Sequence, residues 1–128
     1  MHPARSVFVP IRTWNIQGTW YPVYRVKIDG NDEGEFDSWR GELRISEEVG
    51  ASRFWNVEVH EVWHACEFEQ DIERRLRDEF GFSTPVIERI RELYAGSIMP
   101  VFVDTLARNN LLTPPPPPVF TSEDASSQ

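Results

Sequence analysis

The spacing of apolar residues changes period near residue 47, and no other feature of the chain constrains its fold as tightly. Before that point, apolar residues recur at every second position. Trp14 and Ile16 alternate with Thr13, Asn15 and Gln17, and Tyr24, Val26 and Ile28 alternate with Arg25, Lys27 and Asp29, the period of half-buried strands. A third strand is expected over Trp39 to Ser46, with Leu43 and Ile45 inward and Glu42, Arg44 and Ser46 outward. Between them, Gly30-Asn31-Asp32-Glu33-Gly34 has the composition of a turn. Consecutive strands joined by a short turn favour antiparallel pairing.

From residue 47 to residue 112 the period lengthens. Trp55, Val59, Val62, Trp63 and Cys66 fall on one stripe of a helix. Asp71 to Phe80 mixes charged and apolar residues helically, and Gly81 suits a left-handed C-cap. Thr84-Pro85 suits an N-cap followed by proline in the first helical turn. Ile87, Ile90, Leu93, Tyr94, Ile98 and Val101 then keep helical spacing. Pro100 should kink that helix, and Asn109 and Asn110 should end it. Strands first and helices after define an α+β fold, a small antiparallel or mixed sheet followed by helices. Residues 1–112 form one domain in this reading. Residues 113–128, with Pro114 to Pro118 ahead of Ser, Glu, Asp and Gln, are expected to be a disordered tail. Its prolines favour an extended spacer through which an SH3-like protein partner could bind.

The charge balance narrows the classes of partner. Thirteen basic against 21 acidic residues give a net charge of −8. That sign argues against nucleic acid, whose phosphates need a basic face, and against an anionic membrane surface. No apolar run approaches the roughly 18 residues of a membrane span. Met1 to Pro10 lacks the layout of a secretory signal, so a cytoplasmic location is expected. One cysteine, Cys66, leaves no intrachain disulfide and no cysteine-rich zinc knuckle. It falls on the apolar stripe, where a buried, inert thiol is expected.

Chemistry concentrates in His60-Glu61-Val62-Trp63-His64, which matches H-E-x-x-H. Two histidines at i and i+4 project from one helix face about a turn apart, so both imidazoles can reach a single ion. Glu61 lies about 100° round the helix from His60, placed to take a proton from metal-bound water rather than to bind the metal. Two of the three histidines in the chain make this motif. Val57, Val59, Val62, Trp63 and Ala65 surround it with uncharged groups.

Val57 to Cys66 resembles the helix motif of the zincin metallopeptidases, and the order of strand, motif helix and further helix is most similar to minimal gluzincin-type proteins of phages and bacteria. Glu58 departs from that pattern and is expected to be solvated. The resemblance implies a bound zinc ion, a peptide or protein substrate, a zincin-like fold and a phage origin. It also implies a third ligand from a later helix. Glu88 and Glu92, at i and i+4, look like the gluzincin arrangement of a ligand glutamate followed by a carboxylate that orients a histidine. Glu88 is therefore the expected third ligand and Glu92 the runner-up, although both lie off the apolar stripe. Glu67 shares the motif helix but sits a further turn along it, and His2 lies at the terminus.

Other motifs have plainer explanations. Asp29-x-Asn31-x-Glu33-Gly34 begins like a calcium loop, yet its twelfth position is Arg40 rather than glutamate, so a hairpin turn is expected. Tyr94 could donate to an oxyanion, but packing suits it better. The expected function is zinc-dependent hydrolysis of peptide bonds, with Glu61 activating water. An extended substrate would add to the edge of the strand ending at Ser46. The alternative is a zinc-stabilised binding or structural protein on the same scaffold.

Overall fold

The computed structural model describes residues 9–116. It shows an α+β arrangement with a four-stranded sheet, β1 (Arg12–Ile16), β2 (Thr19–Val26), β3 (Gly34–Asp37) and β4 (Glu42–Ser46), followed by four α-helices. These are α1 (Ala51–Glu69), α2 (Ile72–Phe80), α3 (Thr84–Leu93) and α4 (Met99–Arg108), with a π turn at Tyr94–Ile98 between the last two. The strand order is β1-β2-β4-β3. Among the described residues, no helix is long and apolar enough to cross a membrane. His2 and most of the proline-rich tail lie outside the described residues.

Two tight reversals organise the sheet, and neither falls at Gly30–Gly34. Gln17 and Gly18 both take positive φ, the conformation that matches strand twist in a two-residue hairpin, and join β1 to β2. The second reversal spans Ser38 to Gly41, where the Gly41 amide donates to the Asp37 carbonyl at 2.9 Å and Gly41 has φ 68°. Trp39, expected to begin a strand, belongs to this turn and is exposed. The segment between Val26 and Gly34 instead carries the chain past the position that β4 later fills. Stepping over one strand means crossing about 10 Å rather than about 5 Å, which a tight turn cannot span. β2 and β4 therefore pair in parallel, Val23 opposite Leu43, while the β1–β2 and β3–β4 pairs are antiparallel. Consequently β4 lies inside the sheet and offers no free edge; β3 does.

The core forms where one sheet face meets α1. Tyr21, Val23, Leu43 and Ile45 pack there with Ile16, Val49, Phe54, Val62 and Ala65. In β2 the face toward α1 carries Tyr21 and Val23, the parity opposite to that expected from Tyr24 and Val26. Tyr24 and Val26 are buried as well, so β2 is apolar on both sides and alternation alone cannot choose its inner face. Glu42 and Ser46, expected outward, are also buried.

Helix α1 is covered on two sides, by the sheet and by the π turn and α4. That double cover explains Glu58, which is fully buried rather than solvated. Its carboxylate accepts from Trp14 Nε1 at 2.7 Å and pairs with Arg12 Nε at 2.7 Å. Burial pushes its pKa up, while Trp14 and Arg12 oppose that shift. Helix α2 buries no residue and is held by its own ion pairs, among them Arg77 with Glu73. Gly81 closes it with φ 70°, as its composition implied. Ser83 rather than Thr84 occupies the N-cap position of α3. Pro100 supplies no amide to the preceding turn, and the helix accommodates it through the π turn.

Gly34 brings β3 close against α1. A methyl group there would sit 2.9 Å from Val57 Cγ1, 3.1 Å from Glu61 Cγ and 3.2 Å from the Arg44 carbonyl oxygen. The last contact is backbone and cannot yield cheaply. Gly34→Ala should destabilise the protein by about 1–3 kcal/mol, in line with overpacking of a filled core, read as a lowered urea midpoint at unchanged slope.

Candidate metal centre

His60 and His64 occupy one face of α1, one turn apart, because nineteen residues of uninterrupted helix run from Ala51 to Glu69. Their Nε2 atoms converge to 3.2 Å. A carboxylate from α3 closes the group: Glu92 Oε1 lies 3.0 Å from His64 Nε2, and Glu92 Oε2 lies 3.5 Å from His60 Nε2. One ligand atom from each of His60, His64 and Glu92 falls within 4.8 Å of the others, so this group could hold a metal ion. The donors suit one chemically, since two imidazole nitrogens and a carboxylate oxygen form a three-ligand set that leaves a further position open.

The third member is Glu92, not the expected Glu88. Glu88 is exposed one turn earlier on α3, lining a shallow depression with Phe36, Glu61, His64, Arg91 and Glu92. Glu92 stands in the last turn of α3, next to the π turn that packs on α1, and Glu88 stands one turn further from it. The orienting carboxylate comes from an unexpected place. Glu67, buried on α1 three residues after His64, lies 2.7 Å from His64 Nδ1 through Oε1. A carboxylate only accepts, so Nδ1 donates to Glu67, and Nε2 is the nitrogen left facing His60 and Glu92. The i, i+3 spacing on a helix is the signal that points to Glu67; its place a further turn along the axis bears on ligation and not on this contact.

Glu61 is buried on the adjoining face of α1. With His60, His64 and Glu92 it lines a cleft of about 650 Å³ whose other walls include Asp32, Glu33, Gly34, Asn56, Gly96 and Pro100. Burial pushes its pKa up to about 7; His64 opposes this, while Glu92, Glu35 and Asp32 add to it. A cation held among these groups would pull it back down. Burial and the neighbouring His64 lower the pKa of His60, against the pull of Glu92. For His64, burial also disfavours the charged form, but Glu67, Glu61 and Glu92 outweigh it and raise its pKa. Cys66 is half-buried against the core, and burial raises its pKa, consistent with an unreactive thiol. The Asp29–Gly34 segment contributes a cleft wall rather than a cation loop.

Comparison with protein-family models, curated proteins and solved structures finds no match. The resemblance to zincins therefore rests on the sequence motif alone.

Two outcomes test this centre. Glu92→Ala should weaken zinc binding more than the roughly 10–100-fold typical of losing an outer hydrogen-bond partner, whereas Glu88→Ala should leave it within a few-fold, as read by competition with a chromogenic chelator. Because α3 buries only Ile87 within its length, a metal joining Glu92 to α1 would hold that helix. Adding zinc should slow amide exchange in α3 more than in the sheet, and chelation should reverse the effect.

Proposed function

We propose that the protein is a zinc-dependent peptidase of zincin type, with His60, His64 and Glu92 holding the metal and Glu61 serving as general base. The observation that carries this is the convergence of His60 Nε2, His64 Nε2 and Glu92 beside a buried glutamate in one cleft. Zinc bound there would supply Lewis acidity, polarising a carbonyl group and acidifying water. Glu61 accepts a proton from water in the cleft and returns it to the departing amine. Glu67 keeps His64 in the tautomer that ligation needs. The absence of a side chain at Gly34 leaves room for the Glu61 stem beside β3.

An extended substrate fits the sheet at β3. This strand ends the order β1-β2-β4-β3, so among the described residues its outer backbone groups have no strand partner and suit β-addition. Gly34 lines the same cleft as His60 and Glu61, which would bring a scissile bond beside the centre. This replaces the interior strand ending at Ser46 as the substrate edge.

A second reading, a structural metal that pins α3 to α1, is favoured by the derivation of the ligands from two helices. Glu61→Gln separates the two. In a peptidase, turnover of a quenched-fluorescence peptide library should fall about 10²–10⁴-fold while zinc remains bound at one equivalent. Wild-type protein loaded with zinc but inert on every peptide would leave only the structural reading.

A further inference from the structure

Arg91 stands immediately before Glu92 on α3 but turns to a different set of partners. Its Nε lies 3.3 Å from Glu67 Oε2, and its Nη1 lies 3.7 Å from Glu73 Oε2 on α2. The opposite oxygen of Glu67 is the one that meets His64 Nδ1 at 2.7 Å. A continuous chain of charge therefore runs from Glu73 through Arg91 and Glu67 to His64. Its four groups come from three helices: Glu73 from α2, Arg91 from α3, and Glu67 and His64 from α1.

We propose that Arg91 is a positioning residue for the metal centre, fixing Glu67 so that His64 presents Nε2 to the site. The inference rests on the assignment of His60, His64 and Glu92 as a metal centre and extends it to a residue that touches none of the ligand atoms. The physical case has three parts. Glu67 is buried, and a buried carboxylate without a cation would be costly. Arg91 is three-quarters buried and is the cation paired with it. The Nε contact with Glu67 is an ion pair without a hydrogen bond, and the rigid guanidinium plane keeps that charge in a set place, which a flexible ammonium does not. With one Glu67 oxygen paired to Arg91, the other is left to accept from His64 Nδ1. Without Arg91, Glu67 could rotate, and His64 would lose the partner that selects its tautomer. Because the guanidinium also reaches Glu73, it brings α2, which buries nothing of its own, into support of the centre.

The experiment compares wild type with Arg91→Met, which keeps most of the stem, and Arg91→Lys, which keeps the charge but not the planar fork. Zinc affinity is measured by chelator competition. The His64 tautomer is read from imidazole nitrogen NMR shifts of zinc-free protein at alkaline pH, where the ring is neutral. Arg91→Met should lower zinc affinity about 10–100-fold and convert His64 from the Nδ1–H form to a mixture. Arg91→Lys should fall between the two and carries the test should the methionine variant not fold. Unchanged affinity and tautomer in Arg91→Met, with both lost in Glu67→Gln, would overturn the proposal. So would weaker zinc binding with an unchanged tautomer, which would make Arg91 a tie between helices only. If His60→Ala and His64→Ala bind zinc as wild type does, the metal centre itself is wrong, and the tautomer still decides what Arg91 does.

Discussion

Two imidazole nitrogens 3.2 Å apart are held within a ring of carboxylates, and most of the helical layer can be understood from that juxtaposition. Glu61 and Glu67 are buried beside the histidines on α1, and Glu92 reaches them from α3. Burial raises the pKa of Glu61, and the carboxylates of Glu92, Glu35 and Asp32 add to that rise against His64. The fold answers with cations at the margins. Arg91 pairs with Glu67, and Arg53 pairs with Glu33 on the cleft wall. A divalent ion at the convergence point would offset the remaining excess more directly than any side chain, being the largest local charge available.

The sheet sets where this cluster can open to solvent. Because β4 inserts between β2 and β3, the strand beside the cleft is a short one with a free outer edge. Gly34 lets it approach α1 within the distance at which a side chain would collide. On the opposite flank, the π turn brings Gly96 and Pro100 to the cleft. The proline-interrupted helix and the strand begun by glycine thus both contribute walls to the cleft, and both irregularities lie at the site. Irregular helical turns recur at functional positions in proteins generally.

The division between what was legible in the sequence and what was not follows from the range of the interactions involved. Local signals were sufficient for local structure. The change of apolar period gave strands before helices, Gly81 ended α2, and the i, i+4 spacing placed His60 and His64 on one face. Glu61 beside them followed from the same helical geometry. Signals that needed a partner from elsewhere in the chain failed. Glu58 looked solvated because its neighbours in sequence say nothing of Arg12 and Trp14, which come from β1. The inner face of β2 was undetermined because both its faces are apolar.

Sequence by itself therefore determined the α+β class, the motif helix and the two imidazoles, since each depends on spacing within about one turn or one pleat. Tertiary structure decided the parallel β2–β4 pair, the free edge at β3, and the choice of Glu92 over Glu88. It also decided the service of Glu67 to His64, whose carboxylate is reached by Arg91 from another helix. Those outcomes depend on how helices and strands are placed in space, and Glu88 and Glu92 stand one turn apart on α3 with nothing in the local pattern to tell them apart.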